Sequence, residues 1–174
     1  MVKKRLQAAT AVATLVIFGL FAGPAPAAGA EQELLSSYVG SWSGSSALIG
    51  GEKPEPFSCR LEIKKGNQSK INYAGRCNLI NMNLSVSGTI AFDDKARRYL
   101  AVMSSNAGFK GQAIGLQQGN RISFDLVEQQ KDRGGNDVRI GSKIQLANDS
   151  VRVDFEVEFN DSGEVLTASV PFSR

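Results

Sequence analysis

The chain contains no histidine, and that absence removes much familiar chemistry. Ser-His-Asp and Cys-His arrangements need an imidazole, as do most zinc and copper sites. Carboxylates remain for acid–base work. Asp154, Glu156 and Glu158 cluster, but they alternate with Val153, Phe155, Val157 and Phe159, which puts them on the wet face of a strand. Asp93-Asp94 and Asn160-Asp161-Ser162-Gly163-Glu164 offer oxygens to calcium, yet both spell ordinary turns. Gly108, Gly111 and Gly115 do not make a phosphate loop, because no helix follows them; glycines so placed permit strand coiling and close packing. The expectation is a protein that is not an enzyme, with no catalytic residue, no metal ligand and no cofactor.

The two cysteines, Cys59 and Cys77, carry the remaining covalent chemistry. Phe57, Cys59, Leu61 and Ile63 alternate with polar residues. After Lys65-Gly66-Asn67-Gln68 the alternation resumes through Ile71, Tyr73, Gly75, Cys77 and Leu79, which is a hairpin pattern. A turn centred on Gln68 places Ile63 opposite Tyr73, Leu61 opposite Gly75 and Cys59 opposite Cys77, close enough to bridge on the apolar face. A pair of buried thiols is the alternative. A disulfide implies an oxidising compartment, and the N-terminus agrees. Lys3, Lys4 and Arg5 precede an apolar run from Ala8 to Phe21, then Gly23, Pro24, Pro26 and Ala27-Ala28-Gly29-Ala30. This is the layout of a secretory signal peptide over residues 1–30, cleaved after Ala27 or Ala30, rather than a membrane anchor. Residues 31–174 then form a single domain, periplasmic or secreted, with no integral membrane span. Three of the 20 Lys+Arg lie in the signal, leaving 17 against 17 Asp+Glu. With no net charge, no field draws the mature chain to nucleic acid or an anionic membrane.

The elements that would position any site are strands. Glu31 to Val39 suits a short helical turn. A first strand runs through Trp42 to Ile49, and Gly50 to Pro56 is a loop. Beyond the hairpin, alternation recurs from Met82 to Phe92 and from Arg98 to Ser104. It recurs again from Ile122 to Leu126, Val138 to Leu146, Val151 to Phe159 and Leu166 to Phe172, with a weak glycine-rich strand over Phe109 to Leu116. For Arg98 to Ser104, the inward face is either Tyr99, Ala101 and Met103 or Leu100 and Val102. Gln129 to Asp137 reads as a polar loop. Turn signals every 8–12 residues mark an all-β sandwich or barrel. Short connections favour antiparallel neighbours, and a meander escapes open edges by closing. The expected fold is an antiparallel up-and-down β-barrel of about 8–10 strands, with a two-sheet sandwich as the alternative.

A helical turn followed by Gly40-Ser41-Trp42 at the head of such a meander resembles the lipocalin-like (calycin) barrels. The resemblance implies that Trp42 plugs the barrel floor, often against an arginine from a late strand, for which Arg174 is the candidate. The early disulfide is nearer to the periplasmic metalloprotease-inhibitor barrels. Haem-binding barrels of similar shape require a histidine, which this chain lacks.

The inward set mixes bulky residues with Gly75, Gly88 and Ser142, so that a cavity can open at one end. A filled core is the competing outcome. The expected ligand is small, neutral and apolar, since the inward face shows no cation, and its candidate wall is Tyr73, Phe92, Phe124 and Phe155. The alternative function is a protein-binding module, such as a protease inhibitor or an envelope-associated factor with an envelope or secreted protein as partner.

Overall fold

A computed structural model describes residues 29–80, 82–132 and 134–174. The expected signal peptide lies outside the described residues except for Gly29 and Ala30. A helix, α1 (Ala30–Ser37), leads into ten strands. These are β1 (Gly40–Leu48), β2 (Glu55–Lys65), β3 (Ile71–Asn78), β4 (Asn83–Asp93) and β5 (Arg98–Ser105), then β6 (Lys110–Gln118), β7 (Arg121–Lys131), β8 (Asp137–Ala147), β9 (Ser150–Phe159) and β10 (Val165–Ser173). Each pairs antiparallel with its sequence neighbours, and β10 returns to β1, so the meander closes into an up-and-down barrel. Closure leaves no free sheet edge, which is the reason a long meander curls.

The β2–β3 register is the one read from the alternation: Ile63 faces Tyr73, Leu61 faces Gly75, and Cys59 faces Cys77. The turn works without glycine at its tip, because Gln68 and Ser69 both adopt positive φ. The cysteines form a disulfide with their Cα atoms 4.0 Å apart, a bond suited to an oxidising compartment. On β5 the inward face is Tyr99, Ala101 and Met103, fixed by pairing with Phe92, Ile90 and Gly88 of β4. The expected loop from Gln129 to Asp137 is shorter than its composition suggests. Gln129, Gln130 and Lys131 pair with Arg139, Val138 and Asp137, extending the β7–β8 hairpin to Lys131 and Asp137. There Lys131 Nζ meets Asp137 Oδ1 at 2.8 Å, and the Asn136 N–H donates to Asp132 Oδ1 at 2.9 Å. Ladder pairing and an ion pair outweigh low strand propensity in this stretch.

The barrel has two unlike ends. α1 lies across the end that carries the β2–β3, β4–β5, β6–β7 and β8–β9 turns. Leu35 of α1 is fully buried, the Tyr38 hydroxyl donates to the Asn120 carbonyl at 3.3 Å, and Arg97 Nη2 donates to Glu31 Oε1 at 2.5 Å. Beneath it, Trp42, Ile63, Ile71, Tyr99, Ile122, Leu146 and Val151 are all buried. Trp42 is buried beneath α1. Its indole N–H donates to the Tyr38 carbonyl at 3.0 Å, and the Arg174 guanidinium lies 4.5 Å from its ring centroid. No helix among the described residues is long and apolar enough to cross a membrane.

Candidate functional site

The opposite end is the mouth. It is framed by the loops joining β1 to β2, β3 to β4, β5 to β6, β7 to β8 and β9 to β10. Strand alternation carries the inward face all the way up, so Leu48, Leu84, Val86, Ile140, Val157 and Phe159 share the inward parity of the buried residues on their own strands. These six are only half-buried, although Phe57 and Val138 on the same side are buried; near α1 most inward residues are buried and Phe92 is half-buried. In a closed wall, water reaches an inward side chain from the mouth or through a gap. The half-buried apolar residues on the mouth side are therefore the candidate site, a cup above the packed end.

Two features shape the cup. β6 and β7 pair only over Gly115–Gln118 and Arg121–Phe124. Above that the strands are joined by the Gln130 side chain, whose Nε2 donates to the Lys110 carbonyl at 2.9 Å. The wall is thus thinner between β6 and β7 on the mouth side. Gly111 of β6 leaves room for the Leu126 methyls and for the Glu128 side chain of β7. Glu128 and Gln130 share the inward parity of Phe124 and Leu126, and they give an apolar wall two polar groups. Among the described residues, no group of three or more His, Cys, Asp or Glu side chains is placed to hold a metal ion.

The four aromatic residues expected to line a pocket are distributed unequally. Tyr73 and Phe124 meet at mid-barrel around a void of about 10 Å3, lined also by Ala101, Leu126, Ser142 and Ile144. That volume holds about one water at most. The Tyr73 hydroxyl donates to the Val102 carbonyl at 3.1 Å, and burial pushes its pKa up to about 12. Phe92 lies at the α1 end, its ring 4.9 Å from that of Tyr99 and 5.1 Å from the Arg97 guanidinium. Phe155 is half-buried and inward, on the same face of β9 as Val157 and Phe159. Of the four, it is the one continuous with the cup. The other cup residues went unselected because alternation shows which face is inward, not which end is open. The helix position and turn order supply that second coordinate.

Arg139 bridges Glu156 at 3.1 Å and Glu158 at 3.2 Å, while Ser169 and Arg152 both donate to Asp154. The acid cluster is therefore engaged in ion pairs and hydrogen bonds on the outer face.

No protein-family model matches the chain, nor does any curated protein sequence. Among solved structures it is similar to Rv2717c from M. tuberculosis, with a TM-score of 0.61 and 14% identity over 82% of this chain and 96% of that one. It is also similar to a de novo designed fluorescence-activating β-barrel, with a TM-score of 0.39 and 13% identity over 78% of this chain and 94% of that one. The first likeness shows a shared barrel fold.

Proposed function

We propose that the protein is an exported, non-catalytic barrel that binds a small, neutral, mostly apolar molecule in the cup opposite α1. One observation carries this reading: a set of apolar inward residues on the mouth side, Leu48, Leu84, Val86, Ile140, Val157 and Phe159, is half-buried, while Trp42, Ile63, Ile71, Tyr99, Ile122, Leu146 and Val151 near α1 are buried. A chain with no use for an opening gains by filling it, since each buried methylene contributes about 0.8 kcal/mol. Glu128 at the rim disfavours carboxylate ligands and accepts a hydrogen bond from a hydroxyl or amide, which fits a neutral guest. The disulfide and the leader pattern support export.

Native mass spectrometry of protein isolated from its own host tests this. The expected result is one bound neutral molecule per chain, absent from the Ile140→Asp variant. A bare chain that takes up no added apolar compound contradicts it.

A second reading rests on the outside of the barrel. Val102, Ile114 and Leu116 project outward from β5 and β6, each about half or more exposed, and Leu100 pairs with Ile114 across the two strands. An apolar outer patch is a mark of protein contact. The docked α1, with Leu35 fully buried, favours that face over a free helical arm as the contact. Pull-down of an envelope protein that is lost with Ile114→Glu but retained with Ile140→Asp supports this reading.

A further inference from the structure

We propose that Arg60 and Arg76 form an oxyanion-binding site on the outer face of β2 and β3, separate from the apolar cup. The two arginines stand directly opposite one another in the β2–β3 ladder, immediately beside the Cys59–Cys77 pair. The disulfide closes on the inner face, one residue along each strand, so it pins the register that sets the guanidinium groups side by side on the outer face. Both arginines are exposed, and neither enters an ion pair or hydrogen bond with a described residue. Glu62, the acid two residues from Arg60, is engaged by Lys64 at 3.0 Å.

Like charges placed directly opposite on a sheet are destabilising. Between β7, β8 and β9 several outward charges are matched: Lys143 stands opposite both Asp125 and Asp154, and Arg139 opposite Glu158. The Arg60–Arg76 pair is unmatched among the described residues, so its counter-charge is free to come from outside. Its surroundings suit a polar anion. Ser43 flanks Arg60 on β1 and Ser85 flanks Arg76 on β4, giving a row Ser43–Arg60–Arg76–Ser85 across four strands. The row lies in an open concavity of about 1040 Å3 that also takes in Ser41 and Ser87. Two planar guanidinium forks flanked by hydroxyls are donors matched to a phosphate, sulfate or carboxylate group. No aromatic residue projects outward from β1 to β5 to stack on an uncharged ring.

The test is titration of inorganic phosphate into the full exported chain, isotope-labelled, with backbone amides followed by NMR. Saturable shifts confined to Ser58–Glu62 and Ala74–Asn78 are expected. Arg60→Gln or Arg76→Gln should each weaken the affinity about tenfold or more, and the double variant should abolish saturation. Arg76→Lys should retain part of it, since the charge survives and the fork does not. Neither glutamine variant should lower Tm, because each relieves a like-charge contact. Sedimentation with phosphatidylglycerol vesicles but not phosphatidylcholine vesicles would identify a lipid headgroup as the source of the anion, and a response to phosphate alone a soluble one. Shifts scattered over all basic residues, shifts that survive the double variant, a fall in Tm on removing either arginine, or no response to either probe would overturn the proposal.

Discussion

The Arg174 guanidinium lies over the Trp42 indole, 4.5 Å from the ring centroid, and joins the last residue of the chain to its first strand. It also donates to the Ser37 carbonyl and reaches Asp149 Oδ1 at 3.7 Å. The seam it guards is thin. β1 and β10 pair at Ser43–Ser173 and Gly44–Phe172, then not again until the Ile49–Thr167 bridge, with the Ser46 hydroxyl donating to the Ser169 carbonyl between them. Pro171 has no N–H to offer there. Arg174→Ala should cost about 1 kcal/mol of stability and Arg174→Lys less, read from urea midpoints at unchanged slope.

Gly88 is required by close approach. A Cβ there would overlap the Val102 carbonyl oxygen and the Tyr73 hydroxyl, which are hydrogen-bonded to each other. Gly88→Ala should therefore destabilise by about 1–3 kcal/mol. Gly51→Ala meets no atom within 4 Å and should stay within about 0.5 kcal/mol of the parent. Thermal denaturation of the two variants side by side decides this.

All three tyrosines are held neutral. Burial is the main cause in each, pushing Tyr73 and Tyr99 up to about 12 and raising Tyr38 as well; Asp149 adds to the effect on Tyr38, and Glu31 to that on Tyr99. An acid whose folded pKa lies above its unfolded value stabilises the fold fully below the unfolded pKa and ceases to do so as pH rises through the folded one. Stability should thus be insensitive to these groups below pH 10 and decline between about 10 and 12. Ultraviolet absorbance should show tyrosinate appearing together with unfolding. A normal titration near 10 in a folded chain would refute the burial assigned to these rings.

The helix start favours one of the two cleavage sites of the proposed leader. The Glu33 N–H donates to the Gly29 carbonyl at 2.8 Å, and α1 begins at Ala30. Cleavage after Ala30 removes that acceptor and the first helical residue, leaving another orphan donor at the helix start. N-terminal sequencing of exported protein should read Ala28 first; a start at Glu31 would contradict this.

Much of the architecture was legible because one face of each strand is buried. A one-residue slip turns every apolar side chain outward, so alternation fixes register, and the Cys59–Cys77 pairing follows from it. Arg98–Ser105 resisted because both its faces are apolar: Tyr99, Ala101 and Met103 turn inward, while Leu100 and Val102 join Ile114 in the outer patch. The end of β7 was hidden for the opposite reason. Gln129, Gln130 and Lys131 are polar on both faces, and only their pairing with β8 makes them strand. The site was less legible than the fold. Tyr73, Phe92, Phe124 and Phe155 share the inward face, but height along the barrel separates the half-exposed Phe155 from the packed Phe124, and height depends on closure and on where α1 docks. Arg60 and Arg76 become a pair only once the hairpin register is set.

The account turns on whether the mouth takes up an apolar guest. Titration of a neutral, environment-sensitive apolar fluorophore into the exported protein tests it most directly, alongside Val157→Asp in the cup and Val102→Asp on the outer face. The account predicts saturable one-site enhancement in the parent and in Val102→Asp, and its loss in Val157→Asp with the chain still folded by circular dichroism. Enhancement that survives Val157→Asp and vanishes with Val102→Asp, or no saturable enhancement at all, would contradict it.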